Sequence, residues 1–198
     1  GSEMCIRDRI FEKNADERRE VASITKLMTA LLVLEALDRD EIALTDSVQI
    51  SPRAAAMKGS QALLDANAVY PLEDLLRTTI MASANDSAVA LSEYIAGSEE
   101  NFVDRMNRRA AELGMTNTNY VNCTGYPQSG QYTTARDVCR LCCEIAKHPR
   151  YNQYASVWID KLTHPGGRVT DLTNTNRLVR FYEGCDGYKT GSTDAAKY

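Results

Sequence analysis

A serine and a lysine stand three residues apart in Ser23-Ile24-Thr25-Lys26. A serine hydroxyl is a weak nucleophile at neutral pH and needs a base within hydrogen-bond reach. Residues at this spacing share one helix face. Lys26 could be the base if burial or a second cation lowers its pKa, and the apolar residues that follow favour burial. Taken alone, the four residues equally fit a capped helix start with a solvated lysine.

Two further short motifs carry groups that could bind or activate a substrate. Ser83-Ala84-Asn85 falls in a break between two predicted helices, where it could project a hydroxyl and an amide into a cleft, although serine and asparagine are also ordinary helix-break residues. Lys189-Thr190-Gly191 lies in a β-prone segment and offers a cation and a hydroxyl to a carboxylate. Gly191 would let a ligand backbone lie close. The alternative is a solvated lysine on an edge strand.

The composition is that of a globular protein, with 43% hydrophobic and 25% charged residues in a chain of 198. A net charge of -4 gives no electrostatic reason to bind nucleic acid. The longest apolar stretch, residues 27–37, is shorter than the roughly twenty residues that cross a bilayer. The six cysteines follow no spaced disulfide pattern, and Cys139, Cys142 and Cys143 are expected to be small buried residues rather than zinc ligands.

Helical periodicity and helix-end signals place most elements in the middle of the chain. They predict helices over residues 21–37, 71–81, 86–95, 99–113 and 134–146, with a brief helix after Ser51-Pro52 and a stop at His148-Pro149. Strand-like sequence occurs at residues 10–13, 46–50, 157–162 and 188–193. The sequence therefore predicts an α/β fold with a helical lobe inserted between strands that are distant along the chain.

The order of the three motifs is more specific than any one of them. Ser-x-x-Lys comes first, Ser-x-Asn begins 60 residues later, and Lys-Thr-Gly begins 106 residues after that. This arrangement resembles the D-alanyl-D-alanine carboxypeptidases, the low-molecular-mass penicillin-binding proteins of peptidase family S11. The likeness runs from residue 10 to residue 198 and includes residues 14–16, 113–115, Thr118, Gly125, 132–137, 174–176 and 186–191.

The resemblance implies a β-lactamase/transpeptidase-like fold and a serine-type peptidase mechanism that requires no metal or cofactor. By similarity, Ser23 would attack the D-Ala-D-Ala peptide bond and form an acyl-enzyme, Lys26 would accept its proton, and Ser83 would relay the proton to the leaving amine. Backbone N–H groups of Ser23 and Ser192 would form the oxyanion hole. The substrate-binding residues would be Asn85, Lys189, Thr190, Gly191 and Ser192. Ser192 stands where some family members carry histidine.

The partners implied by the resemblance are the peptidoglycan pentapeptide with its D-Ala-D-Ala terminus and the β-lactams. Because stem peptides lie outside the cytoplasmic membrane, the expected location is extracytoplasmic. Membrane contact is expected only through a C-terminal anchor, whose region is missing from this chain.

Both ends of the chain look cut. Residues 1–9 are interpreted as a non-native leader and residues 10–198 as a partial β-lactamase/transpeptidase-like domain with an incomplete antiparallel sheet. The missing strands should leave apolar faces of the nucleophile helix and the helical lobe exposed. We therefore expect the folded fragment to have low stability, and the sequence leaves open whether it is active.

Three alternatives remain open from the sequence. A class A β-lactamase shares the three motifs, but its Glu-x-x-x-Asn loop does not occur between Asn85 and Lys189. A D,D-endopeptidase would use the same residues. The chain could also be a non-catalytic β-lactam-binding module or an inactive fragment.

Overall fold

The computed structural model describes residues 11–192, and most of their regular structure is helical. In chain order, a 3₁₀ turn at Ser23–Thr25 is followed by α1 (Lys26–Asp38), β1 (Ser47–Gln49), α2 (Pro52–Ala55), β2 (Val69–Pro71), α3 (Leu72–Met81), α4 (Asn85–Ala96), α5 (Glu99–Glu112), α6 (Ala135–Ile145), α7 (Pro149–Ala155), β3 (Ile159–Thr163), β4 (Val169–Thr173) and α8 (Leu178–Phe181). The proposed leader, residues 1–9, lies outside the described residues.

Helix α1 is the centre of the helical lobe. Leu27, Met28, Leu31 and Leu34 are each at most 2% exposed, because α3, α4, α5, α6 and α7 pack around the helix. A helix that is apolar around its whole circumference requires such an environment. The expectation that this helix would expose apolar faces was wrong. The most exposed large apolar side chains of the described part lie elsewhere, at Phe11, Leu63, Ile159, Val169, Leu178, Phe181 and Tyr182.

Local end signals explain where several helices begin and end. The side chain of Ser98 accepts a hydrogen bond from the N–H of Asn101 at the start of α5, and that of Thr134 accepts one from Asp137 at the start of α6. Gly97 takes the left-handed conformation that ends α4. The predictions of these helices are confirmed to within one residue at each end. The helix predicted from residue 21 begins later, as a 3₁₀ turn at Ser23, because Ala22 has ψ of -134°.

The strands form two antiparallel pairs, β1 with β2 and β3 with β4. The predictions at 46–50 and 157–162 are confirmed within one to two residues, whereas β2 and β4 carried no clear signal. The strands predicted at 10–13 and 188–193 were wrong wherever the structure describes them, in residues 11–13 and 188–192. Within residues 11–192 neither segment has a partner strand, and a strand needs a ladder of hydrogen bonds to a neighbour. Ile10 and Thr193 lie outside the described residues.

The stop predicted at His148-Pro149 is confirmed, because α6 ends at Ile145. The helix that follows was missed: Pro149 is the first residue of α7, a position where its missing N–H costs nothing. The expected burial of two of the cysteines of α6 was wrong. Cys139 and Cys143 are exposed rather than buried, because α6 turns Leu141 and Ile145 towards the core instead.

Within residues 11–192 no helix combines the length and the apolar character that a bilayer span requires.

Candidate functional site

The 3₁₀ turn brings Ser23 and Lys26 into contact. Lys26 Nζ donates a hydrogen bond to Ser23 Oγ over 3.2 Å, and the lysine is only 1% exposed. Burial, and secondly the positive charge of Lys189, lowers the pKa of Lys26 to about 7. A large share of the amine is therefore uncharged at neutral pH, and a neutral amine at this distance can accept the hydroxyl proton.

A backbone carbonyl holds the other side of the amine. Lys26 Nζ donates a second hydrogen bond, of 2.7 Å, to the carbonyl oxygen of Thr124. The turn that carries this carbonyl lies against the residue before Ser23: a Cβ on Gly125 would overlap the carbonyl of Ala22. Gly125 also has φ of +77°, so this close approach requires glycine on two grounds.

The Lys-Thr-Gly segment lies beside the 3₁₀ turn. A Cβ added to Gly191 would lie 3.1 Å from Cγ1 of Ile24, so the segment packs closely against the turn. Loss of hydration lowers the pKa of Lys189 to about 8, and its Nζ donates to the carbonyl of Thr190 over 2.9 Å. The hydroxyl of Thr190 donates to Thr175 Oγ1 over 2.7 Å, so a ligand carboxylate would have to compete with that contact.

Ser83 and Asn85 present polar atoms without partners. Ser83 is 2% exposed and has φ of +60°, in the left-handed region that non-glycine residues rarely occupy. Among the described residues, neither Ser83 Oγ nor Asn85 Oδ1 has a hydrogen-bond partner, although Asn85 Nδ2 donates to the carbonyl of Lys58 over 2.6 Å. A buried polar atom without a partner costs about 1–3 kcal/mol. Such a cost, combined with backbone strain, is typical of a functional site.

These elements border one cleft of about 490 Å³. Of the predicted site residues, Ser23, Asn85 and Ser192 line it directly. Lys26 and Ser83 are buried, and Lys189 and Thr190 are not among its lining residues. The volume suits a short peptide. In the described part of the chain, His, Cys, Asp and Glu side chains do not gather in a group of three that could hold a metal ion.

Sequence reasoning missed much of the lining of this cleft and the second hydrogen-bond partner of Lys26. The missed lining residues include Gly59, Ser60 and residues 126–128. A Cβ on Gly59 would lie 2.8 Å from Asn85 Nδ2, so a close approach requires glycine at this position. The sequence shows the glycine but does not show that Asn85 lies beside it. The Thr124 carbonyl is a backbone group and has no side-chain signature at all.

Comparison with known proteins agrees with the resemblance. The chain is 42% identical over 189 residues to the D-alanyl-D-alanine carboxypeptidase DacF of Bacillus subtilis (strain 168), covering 96% of this chain and 49% of DacF. It is 34% identical over 190 residues to the D-alanyl-D-alanine endopeptidase of Escherichia coli (strain K12), covering 94% of this chain and 60% of that protein. The chain thus spans about half the length of several curated relatives it matches.

Solved structures confirm the fold class. The D-alanyl-D-alanine carboxypeptidase DacD from Francisella tularensis superimposes with a TM-score of 0.89 at 30% identity, over 95% of this chain and 57% of that one. Penicillin binding protein 5 from Haemophilus influenzae gives 0.86 at 33% identity, over 94% and 54%. The fold is therefore β-lactamase/transpeptidase-like, with a helical lobe and small antiparallel sheets. The family profile of the D-alanyl-D-alanine carboxypeptidases matches residues 8–198, and the chain belongs to that family, peptidase family S11.

Proposed function

We propose that this chain carries the acyl-transfer site of a serine-type D-Ala-D-Ala carboxypeptidase. The observation that carries the proposal is the buried Lys26, whose pKa is lowered to about 7 and whose amine lies 3.2 Å from Ser23 Oγ. A lysine in that state is a base matched to neutral pH, and among the described residues the only hydroxyl to which it is hydrogen-bonded is that of Ser23.

The proposed acylation uses Ser23, Lys26 and two backbone N–H groups. Ser23 Oγ attacks the carbonyl carbon between the two D-alanines while its proton passes to Lys26 Nζ. The oxyanion accepts hydrogen bonds from the N–H groups of Ser23 and Ser192. Ser23 opens a 3₁₀ turn, where backbone N–H groups have no partner within the helix. One such donor contributes about 3 kcal/mol to lowering the barrier.

The leaving D-alanine amine takes up a proton through Ser83, whose hydroxyl has no partner among the described residues. The C–N bond breaks and D-alanine departs. Water then hydrolyses the Ser23 ester, its proton passing to Lys26 and from there back to Ser23 Oγ. Since a lysine supplies the base and N–H groups supply the oxyanion hole, the mechanism uses no metal or cofactor.

Recognition of the substrate uses the cleft together with the Lys-Thr-Gly segment, whose next residue, Ser192, lines it. Asn85 Oδ1, which has no hydrogen-bond partner in the described part of the chain, would accept from a substrate N–H. Lys189 is largely charged at neutral pH, since its pKa is about 8, so it attracts the terminal carboxylate and repels a proton from Lys26. Thr190 completes the carboxylate site, and Gly191 lets the peptide backbone lie close to the segment.

The substrate we propose is the peptidoglycan pentapeptide that ends in D-Ala-D-Ala, with β-lactams as acylating analogues. Because that peptide lies outside the cytoplasmic membrane, the proposed place of action is extracytoplasmic. Contact with the membrane is proposed to run only through a C-terminal anchor.

A D,D-endopeptidase is the second candidate, because the endopeptidase of Escherichia coli is 34% identical to this chain. It would use the same Ser23 and Lys26, and would differ in accepting a cross-linked peptide in place of the terminal D-alanine. Release of D-alanine from diacetyl-lysyl-D-Ala-D-Ala indicates the carboxypeptidase. Cleavage of purified cross-linked muropeptides without that release indicates the endopeptidase.

Mass spectrometry after benzylpenicillin treatment tests the proposal. We expect a penicilloyl adduct on the peptide that contains Ser23 and none on the Ser23→Ala variant. Equal labelling of both proteins would refute the assignment of the nucleophile. An adduct without release of D-alanine would indicate a β-lactam-binding module, and neither adduct nor release an inactive fragment.

A further inference from the structure

We propose that Asn122 is a positioning residue for Lys26, acting through the backbone carbonyl of Thr124. The inference rests on the proposed function, since it assigns Asn122 a part in holding the base of that same site. Asn122 is not among the residues that line the cleft, and it belongs to none of the three motifs.

The amide of Asn122 holds the whole turn of residues 122–126. Its Oδ1 accepts hydrogen bonds from the N–H of Gly125 over 2.7 Å, from the N–H of Thr124 over 3.2 Å and from the Thr124 hydroxyl over 3.3 Å. Its Nδ2 donates to the carbonyl of Tyr126 over 2.9 Å and to Gln128 Oε1 over 3.2 Å. The residue is 7% exposed, so these contacts use nearly all of its hydrogen-bonding capacity.

The bond to Gly125 fixes the carbonyl that Lys26 uses. The Thr124 carbonyl and the Gly125 N–H belong to the same planar peptide unit, and in a trans peptide they point in opposite directions. Asn122 Oδ1 holds the N–H side over 2.7 Å, and Lys26 Nζ holds the carbonyl side over 2.7 Å. Rotation of this peptide would therefore break both bonds together.

Other contacts hold the two ends of the turn, where the N–H of Tyr126 donates to the Thr124 hydroxyl over 3.1 Å at the far end. Glu99 Oε1 accepts from the N–H of Cys123 over 3.0 Å, and the hydroxyl of Thr29 donates to the carbonyl of Cys123 over 2.6 Å. Beyond Cys123, the N–H groups of Thr124 and Gly125 bond only to Asn122 within residues 11–192. Asn122 is thus the one side chain of the described part that orients this peptide unit by hydrogen bonding to it from the N–H side.

The consequence concerns the lone pair of the base. A neutral amine has two N–H bonds and one lone pair. With one N–H directed at the Thr124 carbonyl, the lone pair can be turned towards Ser23 Oγ. A loose carbonyl would let the amine rotate, and a misplacement of about 1 Å can cost up to a hundredfold in rate.

The test compares Asn122→Ala with Asn119→Ala in the whole chain. Asn119 is a matched control, because its Nδ2 also donates to a loop carbonyl, that of Gly130, over 2.7 Å, away from Lys26. Acylation by a fluorescent penicillin at several concentrations gives the maximal rate constant, the half-saturating concentration and the reactive fraction. We expect Asn122→Ala to lower the maximal rate constant about ten- to hundredfold at an unchanged half-saturating concentration. Asn119→Ala should match the parent. The inference would be overturned if Asn122→Ala reacted with the same maximal rate constant as the parent, whether all of the protein reacted or only a smaller fraction of it.

A second measurement separates this inference from the proposed function. If the parent is not acylated at Ser23, the proposed function fails, but the pKa of Lys26 can still be read by NMR of labelled lysine side chains. Burial is the main cause of its lowered pKa, so a loosened turn that admits water should raise the pKa of Lys26 in Asn122→Ala and leave it at about 7 in Asn119→Ala. The same pKa of Lys26 in the parent and in Asn122→Ala would overturn the positioning role.

Discussion

Replacing Lys26 with methionine should change how the stability of the protein depends on pH. In the folded chain the pKa of Lys26 is about 7, against the usual 10.5. Between these values the unfolded chain binds a proton that the folded chain does not, so the free energy of unfolding rises with pH in this window. Below pH 7 Lys26 is protonated in both the folded and the unfolded chain. The stability gained at higher pH is then lost, and Lys26 no longer makes the free energy of unfolding depend on pH. A pKa difference of this size corresponds to about 5 kcal/mol.

The magnitude expected in an experiment follows from the same numbers. The free energy of unfolding of Lys26→Met minus that of the parent should fall with rising pH, with a slope that approaches about 1.4 kcal/mol per pH unit above pH 7. Since Lys26 is still half protonated at pH 7, the fall between pH 7 and pH 9 is about 2 kcal/mol. The substitution also leaves the Thr124 carbonyl without its donor. That cost does not depend on pH and cancels when the differences are compared.

Urea unfolding of both proteins at pH 6, 7, 8 and 9, followed by circular dichroism, measures this difference. Lys13→Met is the matched control, because Lys13 is exposed and its replacement removes no buried charge. The control should show no such slope. A difference between Lys26→Met and the parent that stays constant from pH 6 to pH 9 would refute the reasoning, because Lys26 would then have an ordinary pKa.

Three further sets of substitutions test the elements around the site. Ser83→Gly removes a left-handed serine and a hydroxyl that has no hydrogen-bond partner within residues 11–192. Thermal unfolding should therefore show a gain of about 1 kcal/mol, together with slower acylation; lower stability would contradict this. In urea unfolding, Gly125→Ala should lower the free energy of unfolding by more than 3 kcal/mol and Gly130→Ala by only about 1 kcal/mol. Both glycines have positive φ, but of the two only Gly125 would place a Cβ in overlap with backbone atoms. Equal losses of stability would count against the close approach of Gly125 to Ala22. Asp86 is fully buried and accepts from the N–H groups of Ala62 and Leu64, so Asp86→Ala should cost about 3 kcal/mol and Asp86→Asn less. Identical urea midpoints for Asp86→Ala and the parent would show that the bonds to Ala62 and Leu64 do not stabilise the loop that contains these two residues.

The sequence was sufficient where the physical cause is local. The bounds of α5 and α6 followed from Ser98 and Thr134, whose side chains accept hydrogen bonds from N–H groups three residues later. The contact between Ser23 and Lys26 was expected from their spacing for the same reason. The strands predicted at the chain ends failed because a strand depends on a partner, and the sequence of one segment does not show where its partner lies.

The rest of the site depends on contacts between distant parts of the chain. Lys26 and the Thr124 carbonyl are 98 residues apart, and no side chain marks a carbonyl as an acceptor. The influence of Lys189 on Lys26 requires the segment that contains Gly191 to pack against the 3₁₀ turn, a contact between parts of the chain more than 160 residues apart. Asn122 had no recognisable signal, since an asparagine in a polar loop is typical of many turns.

The central claim is that an uncharged Lys26 activates Ser23 at neutral pH. The most direct test is the pH dependence of the rate constant for acylation of Ser23 by benzylpenicillin, measured from pH 5.5 to pH 7.5 with Ser23→Ala as the unreactive control. We expect the rate constant to rise with pH along a titration curve centred at about 7, the pKa of Lys26. A rate constant that does not change over this range would contradict the claim.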